Sequence, residues 1–93
     1  IRHPRTGRPA LFVNPVYTTG FEGLTADESR ALLHRLTQHA AHPNLTCRVR
    51  WAPHQLVIWD NFATQHFAIN DYAGQRREMY RTSVRGTPPV PAA

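Results

Sequence analysis

The sequence predicts an α+β protein, mainly β, whose strands belong to a sandwich or jelly roll. One segment carries a helical pattern, several short segments carry strand patterns, and turn signals separate them. The roughly five strands would leave exposed edges, which a soluble protein normally covers. Together with a start at Ile1 rather than Met, this leads us to expect that an N-terminal portion of the domain is absent.

The chain opens with a pattern typical of a hairpin. Thr6-Gly7 provides a turn before the apolar run at 10–13, and Asn14-Pro15 ends that run. The arginines of this segment are expected on the hairpin surface.

A helix is predicted next. Thr25 is its N-cap and Glu28, three residues later, completes a capping box. One apolar stripe is formed by Leu32, Leu33, Leu36 and Ala40. Pro43 is expected to end the helix after His42. His39 and His42 share a helical face and could chelate a metal, although a solvated helix end that complements the dipole explains them more simply.

Strand patterns follow at 46–51, 56–59, 66–70 and 77–84. The first alternates apolar and arginine side chains, and the second is a short continuous apolar run. Pro53-His54 is expected to turn the chain, Asp60-Asn61 to close the strand at 56–59, and Ala73-Gly74 to form a loop. After the last strand, Gly86 and three prolines make a tail that can hardly extend a regular element.

Composition limits the function classes. Ninety-three residues fit one domain, and 41% hydrophobic with 18% charged residues is ordinary for a folded protein. The net charge of +5 comes from eleven basic residues that are all Arg, which suits anionic partners or simply a soluble surface. Cys47 is the single cysteine, so no internal disulfide forms. No signal peptide or membrane span is visible, and we expect a cytoplasmic protein.

Chemistry concentrates between Trp59 and Arg81, where one strand carries a His and the next carries several Arg. On the last strand the odd-numbered side chains, including Arg77 and Arg81, share one face. Their Cα atoms would lie roughly 13 Å apart, so two long side chains could serve two anionic groups in one cavity.

The same stretch resembles the distal half of the TauD/TfdA dioxygenases. The resemblance covers nearly the whole chain. It is carried by the segments ALFVN at 10–14, RVRW at 48–51, WDN at 59–61, TQH at 64–66, DY at 71–72 and QRR at 75–77, and by Arg81. It implies that residues 1–93 are the C-terminal portion of one such domain, a double-stranded β-helix (jelly roll) with one amphipathic helix.

The resemblance also implies roles for individual residues. His66 corresponds to the distal histidine of an iron(II) site built from two His and one carboxylate. Arg77 matches the arginine that pairs with the far carboxylate of the cosubstrate 2-oxoglutarate. Arg81 and Tyr17 match residues of the substrate pocket. The activity implied is hydroxylation by O2 of a small anionic substrate (sulfonate, sulfate ester or carboxylate), coupled to decarboxylation of 2-oxoglutarate to succinate.

Two features depart from the family pattern. Phe62 follows WDN where an Arg is frequent, and Tyr80 precedes Arg81 where a His is frequent, so substrate identity stays open. In addition, no histidine of the chain begins a His-x-Asp or His-x-Glu triplet, which supplies the other two ligands in the family. We therefore expect these 93 residues alone to bind iron poorly and to be inactive.

Two alternatives of other classes stay open. The arginine excess and nine aromatic residues would suit a basic nucleic-acid-binding module, although no signature of such a module is present. The chain could also be a non-catalytic remnant that acts as an interaction domain. Under the favoured interpretation, neither nucleic acid nor membrane is a partner, and a homo-oligomer of the full-length protein stays open.

Overall fold

The structure is a computed structural model that describes residues 1–93. Its main regular element is the predicted helix. Helix α1 spans Ala26–Ala40 and a short 3-10 helix spans Pro43–Leu45. The capping box is confirmed: the Glu28 amide donates to the Thr25 hydroxyl at 3.3 Å, and the Thr25 amide donates to the Glu28 carboxylate at 2.9 Å. The α-helix ends at Ala40, before the predicted end, and Pro43 begins the 3-10 helix because its fixed φ suits a first helical position.

The two histidines at this helix end have different surroundings. His42 precedes the 3-10 helix, and its Nδ1 accepts a hydrogen bond from the Asn44 amide at 3.2 Å. His39 lies exposed in the last turn of α1, where an imidazole complements the helix dipole.

No β-strand is present. The β pairing consists of two isolated antiparallel bridges, Arg2 with Pro9 and Arg2 with Val90. The segments predicted as strands are irregular: 10–13, 46–51, 56–59, 66–70 and 77–84. A strand exists only where a neighbouring backbone takes up its N–H and C=O groups, and these segments do not supply one another with such a neighbour. The jelly-roll fold class therefore stays a prediction.

The chain divides into two compact units, of which the first comprises residues 1–10 and 60–93. The predicted hairpin turn is confirmed there: the Gly7 amide donates to the His3 carbonyl at 2.9 Å, and Gly7 has a φ of +71° that favours glycine. Arg2 joins the C-terminal tail to this hairpin, because its amide donates to the Val90 carbonyl at 2.9 Å and its guanidinium to the Ala92 carbonyl at 2.6 Å. The Arg2 side chain is exposed, as expected, and it also binds the C-terminal tail.

The second unit comprises residues 11–59 and contains α1. Ser29, in the first turns of the helix, is buried, and its hydroxyl accepts a hydrogen bond from the Phe21 amide at 3.1 Å. This bond fastens the preceding loop to the helix. The predicted turn at Pro53-His54 is confirmed by a hydrogen bond from the Gln55 amide to the Ala52 carbonyl at 3.2 Å.

Neither unit has a hydrophobic core. The buried side chains are His3 and Ser29, and no hydrophobic side chain is buried. Large apolar side chains are most exposed in the segments predicted as strands, among them Ile58 (86%), Phe67 (89%) and Val84 (95%). No helix in the structure is both long enough and apolar enough to cross a membrane.

Candidate functional site

A tight turn at Asp60 leads into His66. The Asp60 carbonyl accepts hydrogen bonds from the Thr64 amide at 2.9 Å and from the Thr64 hydroxyl at 2.6 Å. The Asp60 carboxylate accepts one from the Phe62 amide at 2.8 Å. This turn begins at Asp60-Asn61, where the 56–59 segment is expected to close, and it fixes the backbone up to two residues before His66, whose side chain is exposed.

Asp60 is held in turn by a histidine far away in the sequence. Nε2 of His3 donates to Oδ2 of Asp60 at 2.7 Å. His3 is 8% exposed, whereas the Asp60 side chain is 46% exposed. The hydrogen bond from His3, followed by that from the Phe62 amide, holds the pKa of the Asp60 carboxyl below its ordinary value.

A second turn precedes Arg77. The Gln75 amide donates to the Tyr72 carbonyl at 2.8 Å, and Gly74 has a φ of +77°, as the third position of a type II turn requires. This confirms the loop predicted at Ala73-Gly74. The Arg77 guanidinium carbon lies 5.7 Å from the centre of the Tyr72 ring, within range of a cation–π interaction. Arg77 has no acidic partner in the structure.

The neighbours of Arg77 form a separate polar chain. The Tyr80 hydroxyl donates to the Glu78 carboxylate at 2.5 Å, and the Arg76 guanidinium pairs with the same carboxylate. The hydrogen bond from Tyr80, and secondarily that from Arg76, lowers the pKa of Glu78. The hydrogen bond between Tyr80 and Glu78 also raises the pKa of Tyr80. Arg76, Glu78 and Tyr80 are thus linked through the one carboxylate. Arg81 is exposed and has no acidic partner.

Tyr17 lies in the other compact unit. It belongs to a turn in which the Thr18 amide donates to the Asn14 carbonyl at 2.8 Å and the Val16 amide donates to the Asn14 side chain at 2.8 Å. Its side chain is 83% exposed. The turn agrees with the break predicted at Asn14-Pro15.

The structure contains no group of three or more His, Cys, Asp or Glu side chains that could hold a metal ion. Two contacts near the predicted site were not expected from the sequence, that of His3 with Asp60 and that of Tyr72 with Arg77. His3 could have been suspected from its place in the His-Pro start of the hairpin, and Tyr72 from the Asp-Tyr pair ahead of the arginines, but neither contact follows from spacing.

Comparisons with known proteins agree on one family. The family model described as taurine catabolism dioxygenase TauD, TfdA family matches residues 1–83. An alpha-ketoglutarate-dependent dioxygenase, cnsM, of Penicillium expansum is 41% identical over 92 residues, which cover 97% of this chain and 26% of that protein. An alpha-ketoglutarate-dependent sulfate ester dioxygenase of Pseudomonas putida is 35% identical over 88 residues, covering 95% of this chain and 29% of that protein.

An alkylsulfatase of Acinetobacter baylyi is 35% identical over 86 residues, covering 92% of this chain and 27% of that protein. No solved structure matches the chain significantly. The chain spans about a quarter of the length of the curated relatives it matches. Because the family model covers most of the sequence, including His66, Arg77 and Arg81, the chain belongs to the taurine catabolism dioxygenase TauD, TfdA family.

Proposed function

We propose that this chain is part of an Fe(II)- and 2-oxoglutarate-dependent dioxygenase that hydroxylates a small anionic substrate with O2 and converts 2-oxoglutarate to succinate. The observation that carries the proposal is the family match over residues 1–83. The names of the relatives support the cosubstrate and the substrate class, because they include alpha-ketoglutarate-dependent dioxygenases and a sulfate ester dioxygenase.

His66 is the proposed contribution to the metal site. An imidazole suits iron(II), and the side chain is exposed, so a metal could approach it. One histidine does not make a site, however, and two further ligands would have to come from residues outside these 93. When bound, iron(II) would supply the activation of O2 and the decarboxylation of 2-oxoglutarate.

Arg77 is the proposed anchor of 2-oxoglutarate. Its guanidinium has no acidic partner, which leaves the fork available for a carboxylate. The contact with the Tyr72 ring, at 5.7 Å, orients the side chain, and the ring carries no negative charge that would neutralise the guanidinium. Arg76 differs, because its guanidinium is already paired with the Glu78 carboxylate.

Arg81 and Tyr17 are the proposed substrate contacts. The Glu78 carboxylate is the centre of a hydrogen-bonded chain. Neither Arg77 nor Arg81 belongs to this chain of hydrogen bonds, and pairing of the segment as a strand would place both on one face, where one arginine would serve 2-oxoglutarate and the other the anionic group of the substrate. The proposal for Tyr17 rests on the family resemblance, and its exposed side chain in a defined turn is accessible to a substrate.

The fold is part of the proposal. We propose that residues 1–93 form the C-terminal portion of a jelly-roll dioxygenase domain. The apolar side chains exposed in the segments at 56–59, 66–70 and 77–84 support this, because pairing into a larger sheet would bury them. A cytoplasmic location is also proposed, and the single exposed thiol of Cys47 suits a reducing compartment.

The decisive experiment uses the full-length protein that contains these residues. Purified protein is supplied with Fe(II), 2-oxoglutarate and O2, and succinate is measured with alkyl sulfates, alkyl sulfonates and alkyl carboxylates of matched chain length. Neutral alcohols of the same length are the control. The expected result is iron-dependent succinate formation that anionic compounds stimulate and alcohols do not. Absence of iron-dependent succinate with every compound would overturn the proposal.

A further inference from the structure

His3 connects two segments through its two ring nitrogens. Nδ1 lies 3.2 Å from the amide nitrogens of both Arg5 and Thr6, so it accepts, and the ring proton belongs on Nε2. Nε2 donates that proton to the Asp60 carboxylate at 2.7 Å. The ring also packs edge-on against Phe62, with centroids 5.9 Å apart. His3 is one of two buried side chains in the structure, so these contacts hold it in one orientation.

Asp60 passes this constraint to the turn that follows. One of its carboxylate oxygens faces His3, the other accepts from the Phe62 amide at 2.8 Å, and its carbonyl accepts from the Thr64 amide at 2.9 Å and the Thr64 hydroxyl at 2.6 Å. Asp60 thus holds the 60–64 backbone through both its side chain and its carbonyl. His66 follows two residues later.

We propose that His3 is a positioning residue for His66: through Asp60 it fixes the turn from which the iron-binding imidazole is presented. The inference rests on the proposed function of His66. A ligand on an irregular segment would otherwise sample many orientations, and groups that orient a metal ligand typically change metal affinity by about 10- to 100-fold when removed.

Two amide variants of His3 separate its two bonds. In His3→Gln the side-chain amide nitrogen approximates Nε2, so the bond to Asp60 is kept and the acceptor for the hairpin amides is lost. In His3→Asn the side-chain oxygen approximates Nδ1, so the hairpin acceptor is kept and the bond to Asp60 is lost. A purely structural role in the hairpin predicts that His3→Asn is the milder change. The positioning role predicts the opposite.

The test uses the full-length protein with two measurements that do not depend on turnover. Fe(II) affinity is measured by competition with a chelator, and amide hydrogen exchange over residues 61–64 is measured without metal. For His3→Asn we expect a rise in the Fe(II) dissociation constant of about tenfold, with faster exchange in the turn. For His3→Gln we expect both quantities to stay within about twofold of the wild type.

Equal Fe(II) affinity in the wild type and His3→Asn overturns the inference, and so does a larger loss in His3→Gln than in His3→Asn. If His3→Asn does not fold, Asp60→Asn decides the matter, because it presents an NH2 group to Nε2 of His3 while its oxygen can still accept from Phe62. Unchanged Fe(II) affinity in that variant likewise overturns the inference. Failure of the proposed function shows differently, as a wild-type protein that binds no Fe(II) and forms no succinate.

Discussion

The guanidinium of Arg77 lies over the ring of Tyr72, with its central carbon 5.7 Å from the ring centre. The turn closed between Tyr72 and Gln75 makes this possible, because it reverses the chain just before the arginine. Arg76, next in sequence, pairs with Glu78 instead. Adjacent arginines thus have different surroundings, and the one without an acidic partner is the one proposed to bind 2-oxoglutarate.

Replacing Arg77 should weaken the binding of 2-oxoglutarate. Arg77→Lys keeps the charge but loses the planar fork, so we expect the KM for 2-oxoglutarate of the full-length enzyme to rise about tenfold. Arg77→Ala also removes the charge, and a rise of about 100-fold or more is expected. Initial rates of succinate formation at varied 2-oxoglutarate provide the measurement.

Arg76→Ala is the matched control, because it removes the same group from the neighbouring position. Its KM for 2-oxoglutarate should stay near that of the wild type. Tyr72→Phe keeps the aromatic face and should also leave KM unchanged, while Tyr72→Leu should raise it severalfold, as expected for the loss of about 0.5–1 kcal/mol from an exposed cation–π contact. An equal effect of Arg76→Ala and Arg77→Ala would contradict the assignment.

Replacing His66 should abolish iron binding. His66→Ala removes one of three proposed ligands, and we expect the Fe(II) dissociation constant of the full-length protein to rise by more than about 100-fold, since losing a ligand costs more affinity than losing a group that only orients one. Chelator competition measures it. His34→Ala, on the exposed side of α1, is the control and should bind Fe(II) as the wild type does. Retention of tight binding by His66→Ala would rule out the ligand role.

The helix and the turns could be predicted from the sequence, whereas the contacts of His3 could not. The capping box and the turns containing Gly7 and Gly74 depend on residues within a few positions of one another, so local patterns reveal them. His3 and Asp60 are 57 residues apart, and no spacing rule links them. Strands are intermediate in predictability. An alternating pattern shows that a segment is able to pair in a sheet, but it does not show which segment is its partner.

The Asp60 carboxylate should make stability depend on pH. Its hydrogen bonds lower the pKa in the folded state below the ordinary value of 3.8. The stabilisation is therefore present above that value and is lost as the pH falls through the lowered pKa. Urea unfolding of the full-length protein should show the wild type more stable than Asp60→Asn at about pH 6, with the difference shrinking by about pH 3. A difference that is the same at both pH values would contradict this expectation.

The capping box should stabilise the helix measurably. Thr25→Ala removes the hydroxyl that accepts from the Glu28 amide, and we expect a loss of about 1 kcal/mol in the free energy of unfolding of the full-length protein. Thr25→Ser keeps an acceptor and should cost only a few tenths of that amount. Denaturant unfolding measures both variants. Equal stability of the two would show that the cap contributes nothing in the complete protein.

The 93-residue chain by itself should neither unfold cooperatively nor turn over substrate. No hydrophobic side chain is buried in it, so the apolar contacts that make unfolding cooperative are missing, and a single helix of 15 residues is marginal in water. Its exposed apolar side chains should bind a hydrophobic dye strongly. Differential scanning calorimetry should show no unfolding peak for the chain alone and a clear one for the full-length protein.

The chain alone should also form no iron-dependent succinate, because it holds one proposed ligand and no group of three side chains that could bind a metal. We expect His66 and Arg77 to form one wall of a site that other residues complete. Succinate formation by the isolated chain would contradict this, because these residues would then complete a metal site by themselves.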